Sequence, residues 1–162
     1  MGDAIPDFTY GVTLNAAYKS WSLSVFGAGV SGQDIWYVAN RPQKNTLRTF
    51  WTDSYSVQGA SAKYPAPNFN SWDYFAFSSA SIFDGSYFKI KQIQLAFSIP
   101  ARFLEKTFIS SARAYVSLEN YFTFTKYPGA DPEISQGGSS MGLDKGGYPI
   151  SKNTMFGIRV AF

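Results

Sequence analysis

None of the 162 residues is cysteine and none is histidine. The first absence excludes a disulfide framework and a thiolate metal site. The second removes the commonest general base and the commonest metal ligand. Charged residues make up only 15% of the chain, against roughly 25% in typical soluble domains. The net charge is +3, and the basic residues are scattered rather than blocked together, which argues against nucleic-acid binding. No stretch approaches the ~18 consecutive apolar residues that a membrane helix needs. That excludes a helical membrane protein and leaves open a β-barrel, whose strands show only alternation.

The same absences leave little room for catalysis. Without His or Cys there is no nucleophile–base pair, so no enzyme and no cofactor are expected. Residues 137–145 are rich in Gly and Ser but lack the Gly-Lys-Ser/Thr ending of a phosphate loop, and they precede a strand. Asp131, Glu133 and Asp144 offer hard oxygen ligands, yet their spacing matches no EF-hand. They read as structural or solvated carboxylates, and no metal is expected.

What the chain has in plenty is aromatic side chains: 19%, led by 15 Phe and 11 Tyr. Apolar residues reach 45% while the mean hydropathy is only -0.14, so apolar and polar residues must be interleaved. The interleaving has period two. Phe8, Tyr10, Val12, Leu14, Ala16 and Tyr18 alternate with Thr9, Gly11, Thr13, Asn15 and Ala17. Trp21, Leu23 and Val25 oppose Ser22 and Ser24 until Gly27 and Gly29 blur the pattern. Ile93, Leu95, Phe97 and Ile99 oppose Gln92, Gln94, Ala96 and Ser98, with Lys89 and Lys91 on the apolar parity as though that end rises out of an apolar layer. Ala112, Ala114, Val116, Leu118, Phe122 and Phe124 oppose Arg113, Tyr115, Ser117, Glu119 and Thr123. Phe156, Ile158, Val160 and Phe162 oppose Gly157, Arg159 and Ala161. The pattern predicts five strands, over about 8–18, 21–30, 87–99, 111–124 and 149–162.

The connections alternate between short (19–20 and 100–110) and long (31–86 and 125–148). Barrels of the outer membrane have short periplasmic turns and long extracellular loops. The nine residues 154–162 would span ~30 Å and, tilted by ~40°, cross ~23 Å, close to the ~25 Å apolar band of such barrels. Aromatics gather at strand ends (Phe8, Tyr10, Tyr18, Trp21, Tyr121, Phe122 and Phe124), where interfacial girdles sit. The opposite faces supply lumen-facing candidates: Gln92, Gln94, Arg113, Glu119 and Arg159. In the long loop, Trp36, Tyr37, Trp51, Trp72 and Tyr74 are candidates to contact ligand or partner, or to pack the loop against itself.

These residues also carry a family resemblance. Pro6-Asp7-Phe8-Thr9-Tyr10-Gly11, Ser22-Leu23-Ser24-Val25-Phe26 and Gly32-Gln33-Asp34-Ile35 contribute to it. So do Asp84-Gly85-Ser86-Tyr87-Phe88-Lys89-Ile90-Lys91 with Ile93 and Leu95, Asn120-Tyr121-Phe122-Thr123 through Asp131-Pro132-Glu133, Gly146-Gly147-Tyr148-Pro149 and Phe162. The chain resembles the C-terminal part of SusC/RagA-type TonB-dependent transporters of Bacteroidetes, along nearly its whole length. The resemblance implies an all-β fold: an antiparallel meander of about five transmembrane strands, belonging to a barrel of 22 strands with a plug domain inside. It implies residence in the outer membrane, a SusD-like surface lipoprotein as partner, and TonB-powered import of oligosaccharides or peptides. It further implies that Phe156, Ile158, Val160 and Phe162 form the insertion signal read by the barrel-assembly machinery. Five strands cannot close a barrel, so the chain is expected to be one piece of a longer polypeptide that supplies the remaining wall, the plug and the TonB contact. Two alternatives stand beside the importer: a structural or adhesin-like outer-membrane barrel, and a soluble all-β binding module.

Overall fold

The computed structural model describes residues 2–37, 52–64, 79–105, 107–133 and 141–162. Its long strands are β1 (Phe8–Tyr18), β2 (Trp21–Ser31), β5 (Tyr87–Ser98), β6 (Ser111–Thr125) and β8 (Asn153–Ala161). They form one sheet in the order β1-β2-β5-β6-β8, each beside the long strand that precedes it in sequence. This is a meander, mostly antiparallel, and the fold is all-β. The last strand begins at Asn153 rather than near residue 149, because the alternation of 149–152 is interrupted by Pro149 and the polar Ser151 and Lys152.

Between the long strands lie three short ones, β3 (Asp34–Tyr37), β4 (Ile82–Asp84) and β7 (Leu143–Asp144). They make a second sheet in the order β4-β3-β7, with β3 antiparallel to β4 and parallel to β7. A one-turn helix, α1 (Tyr55–Gln58), also lies in the first long connection. The chain divides into two compact units. One comprises Met1–Phe8, Val30–Tyr87 and Thr125–Ile150; the other comprises Thr9–Gly29, Phe88–Phe124 and Ser151–Phe162.

In the strand unit, the β6–β8 register shows how alternation becomes two faces. Ala112 stands opposite Val160, Ala114 opposite Ile158, and Val116 opposite Phe156. On the other face Arg113 stands opposite Arg159, Tyr115 opposite Gly157, and Glu119 opposite Asn153. Period two in the sequence has become an apolar and a mainly polar surface. The alternation does not run unbroken. Asn120, inside β6, has φ of 58°, the left-handed conformation found at bulges. Leu118 lies opposite Thr154, and the Tyr121 hydroxyl bonds the same Thr154 Oγ1 at 2.6 Å. So Tyr121, rather than Phe122, continues the Leu118 side, an odd step that strict alternation does not allow. Sequence periodicity had assigned Phe122 and Phe124 to that side.

Lys89, on the apolar parity at the end of β5 expected to rise out of an apolar layer, is only 1% exposed. Close by, aromatic rings cross the sheet: Phe88 stacks on Tyr10 (centroids 6.0 Å) and on Phe124 (6.3 Å). Gly27 lets this happen. A β-carbon on Gly27 would stand 2.5 Å from Phe88 Cζ. Gly27→Ala should therefore displace the Phe88 ring and cost about 1–3 kcal/mol, read from urea unfolding in lipid vesicles. An unchanged midpoint would show that the ring has room to move.

Candidate functional site

The polar face of the strand unit is the first candidate surface. Arg113 lies on β6 and donates from Nη2 to Ser22 Oγ of β2 at 2.8 Å, reaching across β5. Gln92 on β5 donates from Nε2 to Ser117 Oγ at 3.2 Å. Asn15, Ala17, Ser22, Ser24, Gln94 and Arg113 border an open groove of about 220 Å³. Gln94, Arg113, Tyr115 and Arg159, with Ile158 and Val160 of the edge strand β8, border a second of about 550 Å³. Of the lumen-facing candidates, Gln94, Arg113 and Arg159 thus come together, while Gln92 sits beside Ser117 and Glu119 lies opposite Asn153.

The apolar face is uncovered. Leu14 is 64% exposed, Phe156 81% and Ile158 78%. Phe162 packs its ring on Phe108 of the β5–β6 connection, with centroids 5.7 Å apart. Monomeric soluble proteins rarely expose contiguous apolar surface beyond a few hundred Å².

The loop unit is the second candidate. Ile35, Tyr37 and Tyr127 form its core, with Tyr64 and Phe83 against them. Tyr37 meets Tyr127 edge to face, with centroids 6.2 Å apart. Tyr37 is therefore packed within the loop unit, and Trp36 beside it on β3 is half-buried. Trp51, Trp72 and Tyr74 lie outside the described residues.

Aspartates pin the backbone around this core. Asp3, Asp84, Asp131 and Asp144 each accept, through Oδ1, the N–H two residues ahead: Ile5, Ser86, Glu133 and Gly146. Such Asx turns give a loop backbone its hydrogen bonds locally. The bonds from Ser86 hold the Asp84 carboxyl below its usual range. Asp131 Oδ2 also accepts the Ile150 N–H at 3.3 Å, and Asp144 Oδ2 accepts the Tyr127 hydroxyl at 2.6 Å. Both oxygens of Asp131 and of Asp144 thus accept donors from the protein itself.

The Tyr127–Asp144 pair was not visible in sequence, because its members lie seventeen positions apart in a connection where the period-two pattern is lost. Burial, then the hydrogen bond and charge of Asp144, raise the Tyr127 hydroxyl well above its ordinary 10.0. Burial, then Asp144, raise Tyr37 as well.

Comparison with known proteins decides what this arrangement belongs to. The chain is 30% identical over 172 aligned positions to TonB-dependent receptor P3 of Formosa agariphila, matching 100% of this chain and 17% of that protein. It is 24% identical over 159 positions to TonB-dependent receptor SusC of Bacteroides thetaiotaomicron, matching 96% of this chain and 15% of that one. The chain is homologous to TonB-dependent receptors of the SusC type. No protein-family model matches it. Among solved structures, the RagAB peptide importer in its open-open state aligns with 98% of this chain and 17% of its own, at TM-score 0.75 and 22% identity. A further structure, of the RagAB peptide transporter, aligns at 0.76. The fold is that of a segment of a receptor barrel. The chain spans about a sixth of the length of the curated relatives it matches, 17% and 15% for the two named.

Tyr127→Phe should leave a buried Asp144 oxygen without its donor. The expected cost is about 1–3 kcal/mol, seen as faster hydrogen exchange at residues 35–37 and 143–144. Because folding raises the Tyr127 pKa, the pair's contribution is full below about pH 10 and erodes as pH climbs above it. The variant should lack that alkaline loss, and equal alkaline slopes in both proteins would show the pair to be inert.

Proposed function

We propose that the chain forms part of the barrel wall of a TonB-dependent outer-membrane importer. In this reading it is the C-terminal portion of a 22-stranded barrel and has no catalytic role. The importer takes up oligosaccharides or peptides together with a SusD-like surface lipoprotein. The rest of the same barrel and its plug domain complete the wall and lumen, and TonB supplies the energy through them. Connections 31–86 and 125–148 are extracellular, and Trp36, Trp51, Trp72 and Tyr74 are the candidates there for ligand or lipoprotein. Phe156, Ile158, Val160 and Phe162 serve as the signal for the barrel-assembly machinery.

The observation that carries this reading is the bare apolar face of a regular five-stranded sheet. Burying such a face is worth about 25 cal/mol per Å², and among the described residues nothing covers Phe156 or Ile158. Hydrocarbon accounts for it without any further partner. The sequence relatives point the same way, since their names make them receptors rather than enzymes.

Nitroxide labels placed singly along β8 of the intact receptor in liposomes test the reading. Labels at 156, 158 and 160 should collide with dissolved oxygen and be shielded from a water-soluble nickel chelate. Labels at 157 and 159 should show the reverse. A label at 158 that the chelate reaches freely would remove the membrane-wall assignment.

A further inference from the structure

Lys19 lies in the turn between β1 and β2 with φ of 53°. A residue with a side chain takes this left-handed conformation at a cost, and Gly and Asn take it most readily. A lysine held there points to a use for its side chain. Its ammonium lies over the Tyr18 ring, 5.2 Å from the ring centre. The β5–β6 connection repeats the arrangement, with Arg102 Cζ 4.8 Å from the centre of the Phe103 ring. Both cations are exposed, and among the described residues neither has a carboxylate partner.

Backbone bonding places the two connections at one end of the sheet. Ser98 donates its N–H to the Ser20 carbonyl at 2.8 Å, and Ile99 donates to Ala112 at 2.8 Å. Trp21, directly after the turn, packs on Phe97 with centroids 4.8 Å apart. Tyr18 and Trp21 belong to the apolar parities of β1 and β2, so the Lys19 charge lies where the apolar face ends. The Tyr18, Trp21 and Phe103 rings are all exposed. The connections 19–20 and 99–110 carry Lys19, Arg102 and Lys106 against Glu105 alone, three cations less one acid, a net +2.

We infer that this rim binds an anionic glycerophospholipid, with Lys19 and Arg102 on its headgroup phosphate and its acyl chains on the apolar face beside Trp21. The site rests on the barrel-wall reading of the preceding subsection and names the lipid that one end of the wall selects. An ammonium and a guanidinium both donate to phosphate oxygens. Rings below them hold the cations at the edge of the apolar layer while the aliphatic stems stay within it. A zwitterionic lipid brings an ammonium of its own to a rim already positive, so charge complementarity favours the anionic headgroup. A soluble phosphate would leave the exposed rings in water.

Phe103→p-benzoylphenylalanine in the intact receptor tests the inference, since irradiation joins the benzophenone to whatever lies beside it. The receptor is held in vesicles of equal phosphatidylglycerol and phosphatidylcholine, and lipid adducts on the 99–110 peptide are counted by mass spectrometry. Phosphatidylglycerol adducts should exceed phosphatidylcholine adducts by on the order of tenfold. Adding Lys19→Asn and Arg102→Gln together should return the ratio to that of the bilayer. Lys19→Asn alone should lower the ratio without lowering the urea midpoint, because Asn tolerates the left-handed turn. Equal labelling of the two lipids, no lipid adduct, or a preference that survives the double substitution overturns the site. So does a preference abolished by excess free glycerol phosphate, which would assign the cations to a soluble anion. The nitroxide pattern on β8 separates the two failures. If 156, 158 and 160 face lipid and the preference is absent, the wall assignment stands and the lipid site alone is wrong.

Discussion

A strand that enters hydrocarbon must find partners for every backbone N–H and C=O among its neighbours, since no water is there to supply them. On the barrel-wall reading, the rest of this structure depends on that constraint. The five long strands satisfy it for one another along the interior of the sheet, in the order in which the chain makes them. They do not satisfy it at the margins, where β1 and β8 each have one neighbour only. Every residue of β1 is exposed, as are all but one of β8, so neither margin is covered from either face. A soluble sandwich would have placed a second layer over the apolar side. Closure by further strands of the same kind would meet both needs, by pairing the margins and leaving the apolar side to lipid.

The connections obey the opposite rule. Outside hydrocarbon, backbone groups can be satisfied by water, and a long connection folds only if its own side chains make order worthwhile. Here the aspartates supply it. Their Asx turns at Asp3, Asp84, Asp131 and Asp144 convert a low share of charged residues into local hydrogen bonds. Tyr37 and Tyr127 supply a small aromatic core, closed by the Tyr127–Asp144 bond. The tyrosines of the loop unit therefore do for its packing what aliphatic residues do in an ordinary domain core. Their hydroxyls require a partner once buried, and Asp144 provides one.

The meander was legible in sequence because a barrel strand has one requirement repeated at every second residue. Ile93, Leu95 and Phe97, or Phe156, Ile158 and Val160, state it without reference to anything distant. What was not legible depends on contacts between strands. Asn120 breaks the alternation of β6, and nothing in Glu119-Asn120-Tyr121 announces a bulge. Phe88 occupies the space of a missing Gly27 side chain, a relation between two strands far apart in sequence. Lys89 is enclosed, which its parity within β5 did not announce. In the loops, alternation carries no information at all, so β3, β4 and β7 escaped notice, as did the role of Tyr127. The aromatic residues there were singled out for possible contact with ligand, and for Tyr37 the structure supplies an internal packing role.

The polar face differs in kind from both. It need not be apolar, because it meets water or protein, and it need not be self-satisfied, because other polypeptide can complete it. That freedom explains how Arg113 can sit opposite Arg159 without a carboxylate between them. On the lipid face an unpaired charge would be costly at the midplane and would be selected against. On the barrel-wall reading this face looks into the lumen, where a charge costs little while water surrounds it. Unbalanced charge on this side therefore needs no partner within the sheet itself.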